Sequence, residues 1–508
     1  MPGVYGGDDV SAIVLDAGSS LLRAGWAGED TPRIVIPSSF GWLPDESNGT
    51  ASEAPTSTAT EQAADGDVSM ADAGAEAAGA TGNGEANGGE QPATSTAAAP
   101  LSEAMDARTR IAKYTAKKVE GKGGKKRKYY FGDSGVNQWR QGMEISPTVV
   151  DGVVQSTPDL FHMLNYALDN LGADSAEHPL LLTEAAWTPR ETREELTEMA
   201  FEGLGVPAYY LANSTVLSSF SAGKPSSLIL DVGYSSVSAI PVVDGFVIRK
   251  GMNRQAGLGG AAVSRALAYD FRNPPARTPR VGGPISEFVP TYRVKSKKPV
   301  EAGREAQWEQ REERGTEATT ESFRQFHDEK LLHEAKESLS QCLEQGWDEG
   351  QALSRPSRPY EFPNGYNDLF GIERFRASEV MFEPSLWDGV EGVLPQNSAS
   401  AVSSIQQLVA KAIGAVDVDS RPTLLSNIVC VGGGAFLPGL VDRLSYELSN
   451  QAPGQRIKIH SPGNSVERRH ASWLGGSILA SLGSFHQMWI SKEEYEEHGA
   501  AIVHARAR

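Results

Sequence analysis

Two short segments of this 508-residue chain place an acidic residue, a glycine and small hydroxyl residues directly after an apolar run. They are Asp16–Ser20, which reads DAGSS, and Asp231–Ser235, which reads DVGYS. Glycine lets a backbone approach a ligand closely, successive amides form a concave anion site, and hydroxyls donate further hydrogen bonds. A carboxylate at the strand end can hold a hydrated Mg²⁺ ion. Two such loops facing each other would bind a polyphosphate and its magnesium from both sides.

A run of three glycines, Gly432–Gly434, adds to this pattern. It follows a predicted strand at Asn427–Val431, and glycines there would let an adenosine lie against the backbone. A single Asp-x-Gly-x-Ser is also typical of a hairpin turn, and three glycines are also typical of a flexible turn before a helix. Two copies of the loop together with the triple glycine favour a nucleotide site over these simpler alternatives.

The elements that must position these residues follow from apolar runs and helix signals. Val10–Gly41 is predicted to form strand, turn and strand, and Ser227–Asp231 a buried strand. Helices are predicted where apolar residues recur with helical spacing or small residues cluster before a glycine. The predicted helices are Leu160–Leu171, Pro189–Gly203, Ser214–Gly223, Phe323–Leu343 and Ala471–His486.

The amino-acid composition limits the classes of protein to which this chain could belong. Hydrophobic residues make up 39% of the chain, which is enough for the packed cores of two or three domains. The net charge of −18 disfavours sequence-specific binding to nucleic acid. The only cysteines are Cys342 and Cys430, so a reducing compartment is expected. No apolar run reaches membrane-spanning length, and Met1–Asp9 lacks the character of a signal peptide.

Three stretches are predicted to be insertions. Residues 42–128 are mostly small and acidic residues that cannot bury enough surface to order themselves, so disorder is expected. This stretch ends in a basic run, Arg108–Lys128, with ten basic residues and one acid. Its last part, Lys122–Lys128, fits a nuclear import signal, and it fits a solvated charge run in a loop equally well. Residues 272–320 and 388–420 are predicted to be surface insertions.

Several longer motifs resemble those of actin and the actin-related proteins, within the wider superfamily of sugar kinases and Hsp70 ATPases. The most specific are Trp26–Arg33, Glu177–Glu184, Phe362–Gly365 with Glu373–Arg376, and Trp473–Lys492. The resemblance covers nearly the whole chain outside the insertions. It implies an α/β fold of duplicated ribonuclease-H-like domains, with four subdomains around a central nucleotide cleft. The implied outer domain is 1–41, 129–219 and 470–508, and the implied inner domain is 220–469.

Within the family, the chain resembles most closely one nuclear class of actin-related proteins. The features that carry this resemblance are Val4–Ala12, Trp187, Ser235–Ser238 and Ser477–Trp489. The resemblance implies a nuclear subunit of chromatin-remodelling and histone acetyltransferase complexes, with roles in transcription regulation and DNA repair. The implied partners are an actin monomer and a helix of a remodeller ATPase or acetyltransferase scaffold subunit, with histones as a further candidate. The acidic residues 44–107 could attract histones, although acidic tracts of this kind are common.

The resemblance also implies which residues bind ATP and Mg²⁺. Arg23 stands at the position of a phosphate-binding lysine, and Arg469 at that of a lysine near the base. Asp16 and Asp231 are expected to hold magnesium through water. For Lys336 and Glu337, an exposed helix face is the simpler alternative. The full set of implied nucleotide-binding residues is Asp16, Gly18, Ser19, Ser20, Arg23, Asp231, Gly233, Tyr234, Ser235, Gly257, Lys336, Glu337, Gly432, Gly433, Gly434, Phe436 and Arg469.

Departures from the family pattern indicate that hydrolysis is very slow and that no residue is catalytic. Ser214 and Ser238 stand where actin has the Gln and His that orient the attacking water, and Tyr234 replaces an acid. A serine is too short to align a water with the γ-phosphate. Because each lost positioning group costs a factor of about 10² to 10³, hydrolysis should be negligible beside that of actin.

Two surfaces bear on assembly. The insertion at 42–128 replaces the loop that joins actin subunits, and residues 388–420 depart at actin's inter-strand plug, so a monomer or a pair with actin is expected. An apolar groove with Phe220, Gly223, Leu479, Leu482 and Phe485 could receive a scaffold helix, although core packing is nearly as good an interpretation of Leu479. The alternative functions are an active ATPase or kinase and a filament-forming protein.

Overall fold

The computed structural model describes residues 11–44, 114, 127–315, 317–395 and 402–507. Most of the predicted insertion at 42–128 lies outside these residues, as does its basic run except for Tyr114, Arg127 and Lys128. Within the described ranges the chain forms two large mixed sheets, one in each predicted half, together with several small sheets.

The strands are short and are numbered in chain order. They are β1 (Ile13–Ala17), β2 (Leu21–Trp26), β3 (Ile34–Pro37), β4 (Ser39–Pro44), β5 (Arg127–Tyr130), β6 (Glu144–Pro147), β7 (Val149–Val150), β8 (Val153–Val154), β9 (Leu180–Glu184), β10 (Ala208–Asn213), β11 (Ser227–Val232), β12 (Ser236–Val243), β13 (Phe246–Val247), β14 (Asn253–Ala256), β15 (Val294–Lys298), β16 (Gln307–Gln310), β17 (Arg358–Glu361), β18 (Asn367–Phe370), β19 (Ile428–Val431), β20 (Ile459–His460) and β21 (Ile490–Ser491).

The α-helices are numbered in the same way. They are α1 (Gly132–Asn137), α2 (Thr157–Leu171), α3 (Arg190–Glu198), α4 (Ser214–Ser221), α5 (Gly260–Arg272), α6 (Glu321–Leu339), α7 (Glu349–Ser354), α8 (Glu373–Arg376), α9 (Ile405–Gly414), α10 (Arg421–Leu425), α11 (Leu440–Gln451), α12 (Ser465–Arg469), α13 (Ala471–Ser481), α14 (Lys492–His498) and α15 (Val503–Arg506). A π-helix, Met199–Leu204, extends α3. A search of the described residues found no helix with the length and apolar character needed to cross a bilayer.

The two large sheets share one topology. The outer sheet has the order β21–β10–β9–β1–β2–β3, and the inner sheet has the order β20–β19–β11–β12–β13, with β14 also paired to β12. In each half, the first strand pairs antiparallel with the next strand of the chain and parallel with a strand that follows much later. A further strand then adds in parallel at the same side. The chain therefore contains the same α/β unit twice.

The central strand of each sheet is buried because it is apolar on both faces. Ile13, Val14 and Leu15 have no exposed surface in β1, and Leu228 and Leu230 have none in β11. Strands covered on both sides read as continuous apolar runs rather than as alternating patterns. The turn that follows each central strand is thereby fixed at the edge of a rigid sheet.

Helices α4 and α13 join the two halves. Helix α4 carries the chain without a break across the predicted domain boundary at 219 and 220, and α13 begins just after the predicted boundary at 469 and 470. The helices approach so closely that a Cβ added to Gly475 would lie 1.9 Å from the carbonyl oxygen of Leu217. Only a glycine fits at this crossing.

The structure differs from the predicted insertions at several places. Strand β4 continues to Pro44 and pairs with β5, so both ends of the predicted insertion at 42–128 belong to a sheet with the order β5–β4–β6. Tyr114 is also buried, 4.7 Å from the ring of Phe161. The residues near both ends of this stretch therefore take part in the fold, and the uniformly polar composition that predicts disorder is confined to its middle.

The other two predicted insertions also contain core residues. Phe288, Val289 and Tyr292 are buried, so 272–320 is not purely a surface insertion. Helix α9 lies within 388–420 and buries Ile405, Leu408, Val409 and Ala412. These four apolar residues follow the i, i+3, i+4, i+7 spacing of a helix that packs on a core. The second half of the predicted insertion at 388–420 therefore contains a helix that packs on the core.

Candidate functional site

The two Asp-x-Gly segments form matching turns. The Gly18 amide donates to the Leu21 carbonyl at 3.0 Å, and the Gly233 amide donates to the Ser236 carbonyl at 3.0 Å. Each turn follows the central strand of its sheet, with Asp16 one position before the end of β1 and Asp231 one position before the end of β11. The repeated sequence pattern thus corresponds to a repeated backbone geometry.

Asp16 is the centre of a buried polar network. Its Oδ1 accepts a hydrogen bond from the Thr183 hydroxyl at 2.6 Å. Its Oδ2 accepts from the Ser472 hydroxyl at 2.8 Å and from the Arg23 guanidinium at 2.7 Å. The network joins β1, β2, β9 and the start of α13, so it fixes the first turn relative to the joint between the halves.

Arg23 extends this network to His470. The Arg23 Nε donates to the His470 Nδ1 at 2.7 Å, which requires that this nitrogen carry no proton. Burial, and then the positive charge of Arg23, lower the pKa of His470 to about 4. The imidazole is therefore neutral at physiological pH and acts as an acceptor that orients Arg23.

Asp231 has a different environment. Its side chain has exposed surface, and no described residue donates a hydrogen bond to the carboxylate. The Gly432 turn packs closely against its Oδ1, so protein encloses part of the carboxylate. Burial, and then the negative charge of Asp16, raise the pKa of Asp231 to about 6, while Arg23 acts in the opposite direction. An open carboxylate beside a second acid suits a hydrated cation, because positive charge would relieve this repulsion.

Side chains alone do not provide a metal-binding cluster in the described part of the chain. Among the described residues, no group of three or more His, Cys, Asp or Glu side chains is arranged to hold a metal ion. The donor chemistry at Asp16 and Asp231 thus fits magnesium held through water with the help of nucleotide phosphates, which is the mode typical of this ion.

The pH dependence of stability provides a prediction for Asp231. Its pKa is raised from 3.8 to about 6, so its contribution to stability is fully present below pH about 4 and is lost as pH rises through 6. We expect Asp231→Asn to raise the free energy of unfolding by about 1 kcal/mol at pH 8, a value reduced for solvent screening in the cleft. The gain should shrink toward pH 4.5. Urea denaturation of both proteins across this range checks it, and a gain that does not depend on pH would contradict it.

The triple glycine turn lies against the second loop. Gly432 has a φ of 93°, and a Cβ there would lie 2.3 Å from the Asp231 Oδ1. A Cβ on Gly434 would lie 2.6 Å from the Val232 side chain, whereas the space beside Gly433 is open. Gly432 and Gly434 are therefore required for packing, and Gly433 is the position of the three that leaves room for a ligand.

Phe436 and Arg469 lie together next to this turn. The guanidinium groups of Arg469 and Arg468 are 5.2 Å and 4.9 Å from the centre of the Phe436 ring. The Gly432 amide also donates to the Arg468 carbonyl at 3.1 Å. The predicted adenosine side therefore combines glycine backbone, an aromatic ring and positive charge in one place.

Lys336 and Glu337 on α6 differ in their surroundings. The Lys336 ammonium is buried and donates to the Gly260 carbonyl at 3.1 Å and to the His333 Nδ1 at 2.9 Å. Burial lowers the pKa of Lys336 to about 8. The Glu337 side chain is exposed and lies 3.3 Å from the His333 Nε2. Lys336 is therefore not part of an exposed helix face, whereas Glu337 is.

The hydroxyl residues of the loops contact protein groups. The Ser19 hydroxyl accepts from the Gly152 amide at 3.2 Å, and Ser20 is exposed. The Tyr234 hydroxyl donates to Glu329 on α6 at 2.8 Å, and burial raises its pKa. The Ser235 carbonyl accepts from the Gly257 amide at 2.9 Å.

Gly257 is the predicted site residue that the structure assigns most clearly to packing. Its φ is 76°, and a Cβ there would lie 2.3 Å from the Pro395 ring. Its role in binding a nucleotide stays a prediction, as do the roles of the other predicted site residues.

Sequence reasoning missed several residues of this region. Thr183 and Ser472 bond to Asp16, His470 bonds to Arg23, and His333 bonds to Lys336. Thr183 lies within the motif Glu177–Glu184, and His333 lies one helical turn before Lys336 on α6, so both have a local signal. Ser472 and His470 lie 456 and 447 positions from Asp16 and Arg23, so spacing along the sequence does not connect them to the first loop.

A hairpin between β7 and β8 also reaches this region. Its turn residue Asp151 has a φ of 51°, and its carbonyl accepts from the Trp187 indole at 2.9 Å and from Arg254 at 2.8 Å. The Arg254 guanidinium lies 4.7 Å from the centre of the Trp187 ring. Since Arg254 belongs to the inner half and Trp187 to the outer half, this contact bridges the cleft.

Comparison with known proteins gives a consistent result. The actin family profile matches residues 7–508. The chain is 47% identical to actin-related protein 4 of Mycosarcoma maydis over the full length of both chains. It is 36% identical to actin-related protein 4 of Emericella nidulans, covering 99% of this chain and 98% of the relative. For actin-related protein 4 of Yarrowia lipolytica the identity is 33%, covering 100% and 98%.

These matches extend over both halves and over the motifs that border the cleft. They confirm the predicted resemblance and the predicted α/β fold class with its duplicated unit. With the family profile matched from residue 7 to residue 508, the chain belongs to the actin family.

Proposed function

We propose that this chain binds ATP with magnesium as a structural ligand and hydrolyses it at most very slowly. The observation that carries the proposal is the pair of matching turns, one with a fully bonded carboxylate at Asp16 and one with an open carboxylate at Asp231. The first supports a rigid phosphate loop, and the second supports a hydrated cation. The buried Lys336 and the group of Phe436 and Arg469 support a nucleoside on the inner half.

Slow hydrolysis rests on the side chains at the water-handling positions. Ser238 is buried in β12, directly opposite Asp231, and Ser214 is the first residue of α4. A serine hydroxyl is too short to orient a water on the γ-phosphate from a distance. Tyr234, at the third position, bonds to Glu329 on α6. The retained loops thus support nucleotide binding, and the altered positions support slow hydrolysis of the bound nucleotide.

ATP binding is testable by thermal unfolding. With ATP and Mg²⁺ at about a hundred times the dissociation constant, the native state should gain about 2.7 kcal/mol and the melting temperature should rise. A single-turnover assay should then show no phosphate release on the timescale of actin. ADP is the ligand with which ATP is compared. Gly433→Val is the variant with which the wild type is compared, because its side chain would fill the open space of the triple glycine turn. Actin-like turnover would reject the non-hydrolysing role, and an unchanged melting temperature would reject binding.

The proposal extends to a nuclear role, as a subunit of chromatin-remodelling and histone acetyltransferase complexes that pairs with an actin monomer on a scaffold helix. Its support is the resemblance to relatives named actin-related protein 4, together with an apolar surface at the joint. Phe220, Ile478, Leu482 and Met488 are about 40% exposed there. An amphipathic helix could lay its apolar face on such a surface.

Two residues of the predicted groove pack inward rather than on this surface, and the first, Leu479, is half-buried against the cluster that contains Phe485. Phe485 is buried against Tyr210 and Trp489, with ring centres 4.9 Å and 5.2 Å apart, so it supports the surface from below. Affinity purification of the native chain followed by mass spectrometry of its partners tests the assembly role. Recovery without actin or a remodeller ATPase would reject it.

A further inference from the structure

A tyrosine of the basic run Arg108–Lys128 is buried in the outer half. Tyr114 is 3% exposed, and its ring lies 4.7 Å from the ring of Phe161 on α2. A Cβ added to Gly203 of the π-helix would lie 2.8 Å from the Phe161 ring and 3.3 Å from the Tyr114 ring. The space that Phe161 and Gly203 leave for the tyrosine ring is called the socket. It fits an aromatic side chain closely because position 203 has no side chain of its own.

Carboxylates border the socket. Glu195, Glu198 and Glu202 recur at intervals of three and four residues along α3 and the π-helix, a spacing that brings side chains to one side of a helix. Burial, and then the negative charges of Glu198, Glu195 and Glu202, raise the pKa of Tyr114, so all three lie close to its hydroxyl. This surface is complementary in charge to the basic run, which has ten basic residues and one acid.

Two of these carboxylates accept hydrogen bonds from neutral groups. Glu195 accepts from the Thr157 hydroxyl at 2.6 Å, and Glu202 accepts from the Tyr495 hydroxyl at 3.0 Å. Such bonds leave the negative charge of the surface in place. The Tyr114 hydroxyl is buried and has no hydrogen-bond partner in the described part of the chain, so apolar contact of the ring holds the residue. Docking therefore combines an apolar anchor with a surface that attracts positive charge.

The C-terminal end of the basic run is held on the same helix. The Arg127 guanidinium lies 3.5 Å from the Asp159 Oδ2, and the Tyr129 hydroxyl donates to the Asp159 Oδ1 at 2.8 Å. The Tyr129 ring also lies 4.6 Å from the ring of His162. Because Asp159, Phe161 and His162 belong to one turn of α2, the basic run is tied at two places to a single small area of the outer half.

Chain connectivity keeps lysines beside the carboxylates. Lys113 directly precedes Tyr114, and Lys117 and Lys118 follow it within four positions. Adjacent Cα atoms are about 3.8 Å apart, and four residues extend over at most about 14 Å. Ammonium and carboxylate groups attract each other over a Debye length of about 8 Å at physiological ionic strength. While the ring occupies the socket, Lys113 therefore stays within electrostatic reach of the carboxylates, and the other two lysines stay close by.

We propose that the socket holds the basic run against the chain's own acidic surface, and that the run binds an acidic protein partner only when Tyr114 leaves the socket. The carboxylates of the outer half indicate the chemistry of this partner, which would replace them as the counter-charge of the lysines. The run contains Lys122–Lys128, which fits a nuclear import signal, so docking of one ring controls access to that segment. The inference does not depend on the proposed nucleotide site.

Limited trypsin digestion of the full chain measures docking of the run, because cleavage after Lys113 and Lys117 requires access to the backbone beside Tyr114. We expect Tyr114→Ala to speed these cuts about tenfold or more. Tyr114→Phe should leave them at the wild-type rate, since its ring fills the same socket. Tyr446→Ala is the matched control, because Tyr446 is 41% exposed on α11 of the inner half. Wild-type cleavage rates in Tyr114→Ala, or equal acceleration in the control, would overturn the proposal.

Binding of the full chain to immobilised polyglutamate at low salt tests whether the socket competes with an acidic partner. Tyr114→Ala should bind about tenfold more tightly than the wild type, and Tyr114→Phe should match the wild type. Adding Lys117→Glu and Lys118→Glu to Tyr114→Ala should abolish the gain. Equal affinity of Tyr114→Ala and the wild type would contradict the proposal, as would a gain that persists after both charge reversals.

A pair of substitutions that leaves the ring in place provides a second route. Glu195→Gln with Glu202→Gln removes negative charge beside the socket, and each Gln can still accept the hydrogen bond that the Glu accepts. This variant should also bind polyglutamate more tightly than the wild type. Glu344→Gln with Glu349→Gln is its control, because it removes the same charge from exposed positions of the inner half. Equal gains in the two variants would reject a specific role for the socket.

Discussion

Replacing Asp16 with alanine is expected to lower the free energy of unfolding by about 3–5 kcal/mol, the range found when one partner of a buried ion pair is removed. The Asp16 and Arg23 side chains are 6% and 13% exposed, so Arg23 would be left buried without its counter-charge. The hydroxyls of Thr183 and Ser472 would lose the same acceptor. Urea denaturation at pH 7.5 measures the loss.

Asp231→Ala is the matched control for this prediction. Both residues occupy the same place in their turns, but no described side chain or amide donates to the Asp231 carboxylate. We therefore expect Asp231→Ala to leave stability at pH 7.5 unchanged or to raise it, while both variants weaken ATP binding. Equal destabilisation by the two substitutions would contradict the assignment of a structural network to Asp16 alone.

Substituting Gly475 with alanine is expected to destabilise the protein by about 3 kcal/mol or more, at the upper end of the cost of overpacking. The added Cβ would lie 1.9 Å from the Leu217 carbonyl oxygen and 2.4 Å from its carbon. These are backbone atoms of α4, so relief requires the whole helix to move. Since α4 and α13 form the joint, the affinity for ATP should fall as well.

Gly483→Ala is the control for the joint. It follows α13 closely, and no atom lies within 4 Å of the position its Cβ would take. Thermal unfolding should show a melting temperature close to that of the wild type for Gly483→Ala and a clearly lower one for Gly475→Ala. A wild-type melting temperature for Gly475→Ala would show that the helices are farther apart than the structure places them.

The candidate site was predictable to the extent that it is local. The loops at Asp16 and Asp231 each need a carboxylate, a close turn and small residues within five positions. A pattern that short can be recognised directly in the amino-acid sequence. The turns indeed have the same hydrogen bond, from Gly18 to Leu21 and from Gly233 to Ser236. Burial of residues within the predicted insertions, such as Phe288 and Ile405, could not be predicted in this way, because it depends on partners elsewhere in the chain.

The sequence by itself determined the family, the duplicated α/β unit and the place of both loops, because these depend on short patterns and on long family motifs. Only the tertiary structure decided that the two equivalent aspartates, Asp16 and Asp231, differ in their hydrogen bonding. Asp16 meets Ser472 across 456 positions of chain, whereas Asp231 meets no donor among the described residues. It also decided that Phe323 and Met143 belong to one buried apolar cluster. Hydrogen bonds and apolar contacts act over a few ångströms in space, and chain folding alone sets which distant residues come that close.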